Sequence, residues 1–185
     1  MLVASATLTF SSTSLAGQEI DLKEQAEALE SYYELTSSGD LAHVEVIKAP
    51  DKSARQLYQA AEEWVVRHYN DAQSVVDAKS PEEGYILCKG LYEVYMTILG
   101  SPTPVKVNHL FKVEVKEGKA RISISLLGVE DSYPFYQYGD TDRKRLKYED
   151  RFTARRLIAV HDAVTKHIAS VAGALQSTSA ASDDW

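Results

Sequence analysis

The stretch from Val105 to Leu127 constrains the fold more than any other part of the sequence. Apolar and polar side chains alternate on both sides of Glu117-Gly118, and a period of two is typical of strands with one buried face and one solvated face. Gly118 can supply the positive φ that a two-residue hairpin turn needs. This turn predicts the cross-strand pairs Val113 with Ile122, Phe111 with Ile124, and Glu114 with Arg121. A slip by one residue would expose every apolar side chain, so the register is expected to be firm.

The composition is that of one domain with its own apolar core. The chain has 185 residues, of which 44% are apolar, which is ordinary for a single globular domain. The net charge of −7 disfavours binding of nucleic acid by the general surface. No apolar run reaches the roughly 18 to 20 residues of a membrane span. The only cysteine, Cys88, permits neither a disulfide within the chain nor a cysteine-based metal site.

Hydrophobic periodicity predicts further elements around the hairpin. They are a strand from His43 to Ala49, a helix from about Ser53 to Tyr69, a short strand from Gln73 to Asp77, a long strand from Tyr85 to Ile98, and a last helix over about residues 153–176. Pro102 and Pro104 predict a loop at residues 100–104, because proline donates no backbone hydrogen bond. Residues 19–176 are therefore predicted to form a single α+β domain, followed by a disordered tail at residues 177–185.

Residues 1–18 differ in composition from the rest of the chain. They contain no charged side chain and are rich in serine, threonine and alanine. Ser14-Leu15-Ala16 fits the small-residue cleavage site of a signal peptide, with Gly17 as the first mature residue. No lysine or arginine precedes the mildly apolar stretch, so a disordered tail is the alternative interpretation. The signal-peptide interpretation predicts an exported protein.

Three motifs in the predicted domain resemble those of a known family. They are the helix pattern S-x-x-x-L-Y-x-x-A-x-x-W from Ser53, the strand pattern G-x-I-x-x-K-G from Gly84, and the hairpin pattern E-V-K-x-G-K-x-R from Glu114. Together they are similar to the exported bacterial domain-of-unknown-function family 4468, which has a TATA-binding-protein-like (TBP-like) fold. The resemblance covers about residues 35–130.

This resemblance implies a fold and a setting but no site. The implied fold is α+β, with a curved antiparallel sheet of about five strands backed by two main helices. The implied setting is the periplasm or cell exterior of a Gram-negative bacterium. The family brings no catalytic or binding residues, and a TBP-like fold by itself implies nothing about DNA.

The residues that most often carry catalysis or bind metals form no recognised motif. The five histidines are His43, His68, His109, His161 and His167, and their spacing matches no H-E-x-x-H or similar ligand pattern. His109 lies on the apolar parity of its strand, which predicts a partly buried, hydrogen-bonded side chain rather than a metal ligand. Cys88 shares its parity with Ile86 and is predicted to be a small buried hydrophobe. No cofactor is therefore expected.

The polar parity of the sheet predicts a candidate interaction surface. If helices cover the parity of Phe111 and Ile124, the opposite face is left open. Its predicted members are Lys89, Glu93, Tyr95, Lys112, Glu114 and Arg121. Mixed charge is also what a merely solvated face needs, and that interpretation stays open beside the functional one.

A second candidate lies between the hairpin and the last helix. Residues 141–156 contain seven basic and three acidic side chains, and aromatic residues precede them. Such a segment is suited to an anion, an acidic partner or a stacked ring, although a solvated loop has the same composition. The candidate residues are Tyr136, Tyr138, Arg143, Lys144, Arg145 and Arg151.

Three functions are compatible with these observations. The favoured one is a non-catalytic, exported domain that binds an unidentified protein or small ligand of the bacterial cell envelope. The alternatives are a small enzyme with an unrecognised site and a structural or oligomerising subunit. The enzyme is disfavoured because the sequence offers no set of nucleophile, base and orienting group.

Residues 1–18 generate the first testable prediction. When the gene is expressed with its full upstream start in its native host, the mature chain is expected to begin near Gly17. N-terminal sequencing of the native protein measures this directly. An intact Met1 would show that the segment is not a cleaved signal peptide.

Overall fold

The computed structural model describes residues 15–36, 40–69, 71–98, 101–129, 136–138, 144–146 and 151–177. Most of the predicted signal segment and residues 178–185 of the predicted tail lie outside these ranges. The helices are α1 (Leu15–Ala28), α2 (Ala54–His68), α3 (Ala72–Val75) and α4 (Arg151–Gln176), and a 3₁₀ turn (Leu29–Ser31) follows α1. The strands are β1 (Glu34–Leu35), β2 (Leu41–Lys48), β3 (Val76–Ser80), β4 (Tyr85–Ile98), β5 (Ser101–Lys116), β6 (Lys119–Val129), β7 (Tyr136–Tyr138) and β8 (Lys144–Leu146).

Six of these strands form one antiparallel sheet, in the order β1-β2-β6-β5-β4-β3. The hairpin at its centre has the predicted register, with Val113 opposite Ile122, Phe111 opposite Ile124, and Glu114 opposite Arg121. Gly118 in the turn has a φ of +71°, which glycine adopts without steric cost. The predicted antiparallel sheet backed by helices is therefore confirmed.

The sheet has six strands, whereas about five were expected. The additional strand, β1, has only two residues, which is too short to show an alternating pattern. The short strand expected from Gln73 to Asp77 is displaced, because Ala72–Val75 form one helical turn and β3 follows from Val76. The side chain of Asp71 accepts a hydrogen bond from the Ser74 backbone nitrogen at 3.2 Å and so caps this turn.

The prediction of a loop at residues 100–104 was wrong for residues 101–104, which belong to a strand. Strand β5 begins at Ser101, and Pro102 and Pro104 lie opposite Thr97 and Tyr95 of β4. The pairing of β5 with β6 starts only at Val107, so among the described residues the start of β5 has a neighbouring strand on one side. Proline is tolerated in such a strand because its missing N–H can face the unpaired side.

Helix α2 begins at a well-formed cap. Ser53 Oγ accepts from the Gln56 backbone nitrogen at 3.2 Å, and Gln56 Oε1 accepts from the Ser53 backbone nitrogen at 2.9 Å. This reciprocal arrangement is a capping box, which satisfies two backbone donors at once. Glu117 in the hairpin turn accepts from the Ala54 backbone nitrogen at 3.1 Å. The start of α2 is thereby fixed to the end of the central hairpin.

The core lies between one face of the sheet and the helices. Phe111, Val113, Ile122 and Ile124 are fully buried on the sheet side. The last helix contributes a stripe of apolar side chains, all of them buried: Leu157, Val160, Val164, Ile168, Val171 and Leu175. Helix α4 contacts β2, β4, β6, α1 and α2, so it joins the two ends of the helical layer.

Trp64 of α2 is the central aromatic side chain of this layer. Its ring lies 5.3 Å from that of Phe111 and 4.9 Å from that of His167, measured between centroids. Its indole Nε1 donates to Ser170 Oγ of α4 at 3.0 Å. Trp64 therefore connects the sheet, α2 and α4.

Replacing Trp64 with alanine tests this role. Because the indole is buried between three elements, Trp64→Ala is expected to lower the free energy of unfolding by about 3 to 5 kcal/mol, measured by urea denaturation. The matched control is Val66→Ala, at a position of the same helix that is 61% exposed and is expected to change stability by less than about 0.5 kcal/mol. Equal effects of the two substitutions would show that Trp64 is not a core residue.

Candidate functional site

One face of the six-stranded sheet is left exposed by the part of the chain that the structure describes. The helices pack on the side of Phe111 and Ile124. Side chains of the opposite parity, such as Tyr95 at 63% exposure, point away from that core. We call this surface the open face. All six residues of the first sequence-derived surface lie on it: Lys89, Glu93, Tyr95, Lys112, Glu114 and Arg121.

Glu114 lies at the centre of a small ionic network on the open face. Arg121 donates from Nε and Nη2 to Glu114 Oε2, at 2.8 and 2.6 Å, and Lys112 Nζ lies 3.0 Å from Oε1. Partial burial acts to raise the pKa of Glu114, but the hydrogen bonds from Arg121 and Lys112 outweigh it and lower the pKa. Glu114 is therefore a carboxylate that already has two cationic partners.

The other predicted members also make contacts along the sheet. Lys89 Nζ donates to Asp77 Oδ1 at 2.8 Å, and the Tyr95 hydroxyl donates to Glu93. Ion pairs at such exposed positions contribute only about 0 to 1 kcal/mol each to stability. Their functional role stays a prediction.

The open face also carries apolar side chains that the sequence analysis did not assign to it. Val44 and Val46 of β2 are 52% and 54% exposed, and Leu91 and Leu127 are also exposed. The β2 sequence LAHVEVIK has apolar residues on both parities, so alternation alone does not reveal which valines face solvent. Pairing of β2 with β6 decides this.

The second candidate segment forms a separate two-stranded sheet. Tyr136 of β7 lies opposite Leu146 of β8, and Tyr138 lies opposite Lys144. Arg145 lies opposite Gln137. Arg143 lies outside the described residues, and Arg151 is the first residue of α4. The aromatic and basic parts of the segment thus meet as paired strands, and a binding role for them stays a prediction.

Three histidines that are distant in sequence meet beneath the sheet. His68 ends α2, His109 belongs to β5, and His167 belongs to α4. The ring centroid of His167 lies 5.0 Å from that of His68 and 5.6 Å from that of His109. We call these three residues the histidine cluster.

Aromatic side chains surround the histidine cluster. Tyr92 stacks on His109 at 3.8 Å between ring centroids, and the Tyr69 hydroxyl lies 3.4 Å from His109 Nε2, a long hydrogen bond. Gly90 lies beside the same ring, because a Cβ at this position would come within 2.6 Å of His109. The close approach to His109 gives this glycine a packing role. His109 is a buried, hydrogen-bonded residue, as predicted.

Burial keeps the histidine cluster neutral. His109 and His167 are only 1% and 3% exposed. Burial, followed by the neighbouring histidines, lowers the pKa of His167 to about 3. Burial also lowers the pKa of His109 to about 4, although a backbone hydrogen bond at Val107 opposes this. Burial likewise lowers the pKa of His68.

The described residues offer little catalytic chemistry. They contain no group of three or more His, Cys, Asp or Glu side chains able to hold a metal ion. Cys88 is fully buried, and burial raises its pKa to about 11, so it is a thiol at neutral pH rather than a nucleophilic thiolate. Within these ranges no helix is long and apolar enough to cross a membrane.

One cleft lies on the helical side of the sheet, between α2 and α4. It has a volume of about 350 Å³ and lies beside Trp64, His68 and Ser170. Two charged groups in its lining, Glu63 and Arg67, are bonded to each other. The Ser170 hydroxyl in the same lining accepts the hydrogen bond from Trp64 Nε1 at 3.0 Å.

The central part of the chain matches a known family. Residues 43–130 match the model of DUF4468, a domain of unknown function with a TBP-like fold. This part of the chain is therefore similar to the DUF4468 family. The family resemblance predicted from the three sequence motifs is therefore confirmed, together with the TBP-like fold.

Solved structures are similar to this chain well beyond the DUF4468 segment. A DUF4468 family protein from Bacteroides ovatus shares the fold with a TM-score of 0.60 and 13% identity, over 82% of this chain and 95% of the other. A TBP-like protein from Parabacteroides distasonis has a TM-score of 0.57 and 11% identity, over 77% of this chain and 96% of the other. No curated protein matches the chain. At these identities the similarity shows the fold and no activity.

The histidine cluster predicts that stability depends on pH. The unfolded chain binds protons below a histidine pKa of 6.5, whereas the folded chain resists protonation of His109 and His167 down to about 4 and about 3. Stability is therefore full above about pH 6.5 and falls as the pH decreases, by about 2 kcal/mol per histidine at about pH 5.

Urea denaturation at about pH 7.5 and about pH 5 measures this loss of stability. In His167→Met, which keeps an apolar side chain of similar length without a titrating ring, the loss between the two pH values is expected to be clearly smaller. An unchanged loss in this variant would show that His167 does not resist protonation in the folded protein.

Proposed function

We propose that this protein is a non-catalytic, exported domain that binds a protein partner of the bacterial cell envelope through its open face. The observation that carries this proposal is the combination of exposed apolar side chains and an ionic network on the open face, which no element of the described residues covers. Val44, Val46, Leu91 and Tyr95 are exposed there, and Val46 lies opposite Arg121, one of the two cationic partners of Glu114.

The dimensions of the open face fit a protein partner. Six strands at about 4.8 Å spacing, with strands of about eight residues, give a surface of about 750 Å². A specific interface of standard size buries about 800 Å² on each partner. The open face is therefore of the right order for one protein contact and larger than a small ligand needs.

The chemistry of the described residues favours binding over catalysis. The buried histidines are neutral, Cys88 is a buried thiol, and the Ser170 hydroxyl in the cleft between α2 and α4 accepts a hydrogen bond from Trp64. A hydrolase or transferase would need an activated nucleophile or a general base, together with donors for developing charge. The alternative of a structural or oligomerising subunit would use the same open face, with a second copy as the partner.

Two lines of support bear on the setting. Residues 1–18 contain Ser14-Leu15-Ala16, which fits the small-residue cleavage site of a signal peptide. The similar structures come from Bacteroides ovatus and Parabacteroides distasonis, and both organisms are bacteria. We therefore propose a bacterial envelope protein that acts in the periplasm or at the cell exterior.

Site-specific photo-crosslinking in the native host tests the proposal. A photoreactive amino acid is placed at Leu91 or Val44 of the open face, and as the matched control at Val66, an exposed apolar residue of α2. We expect a discrete protein adduct from Leu91 and Val44 and none from Val66. Equal adducts from all three positions, or none from the open face, would contradict the proposal.

Charge reversal provides the second arm of the same experiment. Lys112→Glu combined with Arg121→Glu places three carboxylates together at Glu114 and is expected to abolish the adduct from Leu91. Both side chains are substantially exposed, so the fold is expected to survive, which circular dichroism checks. A folded variant that still forms the adduct would show that this part of the open face does not contact the partner.

A further inference from the structure

Three lysines form a row across the hairpin end of the open face. Lys48 of β2 lies opposite Lys119 of β6, and Lys119 lies opposite Lys116 of β5. Each lysine lies two residues along its strand from a residue of the open face: Lys48 from Val46, Lys119 from Arg121, and Lys116 from Glu114. The three lysines therefore have the same parity as these residues and lie on the open face. We call this set the lysine row.

The lysine row places like charges side by side. Residues directly opposite in neighbouring strands have Cβ atoms about 5 Å apart, and like charges there destabilise a sheet. All three lysines are exposed. Within the described part of the chain, no ion pair or hydrogen bond joins any of the three ammonium groups to an acidic side chain. The repulsion is therefore not compensated by those residues.

A depression lies beside the lysine row. Its volume is about 300 Å³, and its lining is Val46, Glu114, Lys116, Lys119, Ala120 and Arg121. Its one carboxylate, Glu114, is already bonded to Arg121 and Lys112. The depression thus combines uncompensated positive charge with an apolar wall, in a protein whose net charge is −7.

We propose that the lysine row and this depression bind an acidic, extended segment of the protein partner. Carboxylates on every second residue of an extended segment lie about 7 Å apart and point to one side. Lysine side chains are long enough to reach such carboxylates from strands about 4.8 Å apart. Val46 provides the apolar contact that a peptide side chain can cover and a free inorganic anion cannot.

A protein segment fits this site better than a nucleic acid does. The rest of the open face carries Glu93 and the exposed apolar residues Val44 and Leu91, whereas a phosphate backbone requires a continuous basic track. The acidic net charge also repels a long polyanion wherever its charges lie within the screening length of the protein surface. This inference rests on the proposed function and specifies the chemistry of its partner.

The test is a binding measurement on the full chain with a defined probe. The probe is a fluorescent peptide of about ten residues in which Glu and Thr alternate, and the control probe replaces Glu with Gln. We expect saturable binding of the Glu peptide at about 50 mM salt, weakened at about 300 mM, and no binding of the Gln peptide.

The decisive variant neutralises the row as Lys48→Gln, Lys116→Gln and Lys119→Gln together. We expect its affinity for the Glu peptide to fall at least about tenfold. Its melting temperature is expected to stay the same or rise, because the repulsion between the lysines is removed. A loss of binding that accompanies a gain in stability cannot be attributed to unfolding.

The matched control changes the same charge elsewhere. Lys23→Gln, Arg55→Gln and Lys166→Gln alter three exposed cations of α1, α2 and α4 and are expected to leave peptide affinity within about twofold. If both triple variants weaken peptide binding equally, the effect is one of net charge and the proposal is overturned. Absence of Glu-peptide binding to the unaltered protein at low salt would overturn it as well.

Two further probes separate other ligand classes. Vesicles containing about one third anionic lipid and an oligothymidine of similar charge are measured under the same conditions. Tighter binding of either one through the lysine row would overturn the assignment to a protein segment. If crosslinking at Leu91 succeeds while the lysine row has no effect, the inference fails and the proposed function stands.

Discussion

The structure depends on the burial of one side-chain parity of the central hairpin beneath α2 and α4. Phe111 and Ile124 are fully buried there, and burial of each such side chain stabilises the fold by roughly 1.5 to 3 kcal/mol. Because the period of a strand is two, this burial also fixes what the opposite parity does. The open face, with its ionic network around Glu114, is therefore a direct consequence of the packing of the core.

The histidine cluster shows that the same core contains polar side chains. His167 is nearly fully buried, and neither of its ring nitrogens has a hydrogen-bond partner among the described residues. A buried imidazole without such a partner costs stability, and the aromatic rings of Trp64 and Phe111 around it provide packing but no acceptor. The core is consequently stable only while these histidines remain neutral.

The open face combines two arrangements with opposite effects on stability. Around Glu114, the carboxylate forms ion pairs with Lys112 and Arg121. In the lysine row, three cations lie opposite one another, which a sheet selected only for stability would avoid. Natural proteins often retain such destabilising arrangements at sites that bind a partner, and this contrast within one surface is the reason to assign binding to the hairpin end.

The sequence by itself determined the hairpin register, the two long helices, the resemblance to DUF4468 and the face on which Lys112 and Arg121 lie. These follow from local periodicity and from a turn that needs only Gly118. The two-residue β1 and the proline-containing start of β5 were missed because their pairing depends on neighbouring strands rather than on their own pattern. Only the tertiary structure decided that Lys48 joins Lys119 and that His68, His109 and His167 meet. Those contacts join residues far apart in the chain, and their geometry is set by how strands and helices pack, which no local spacing encodes.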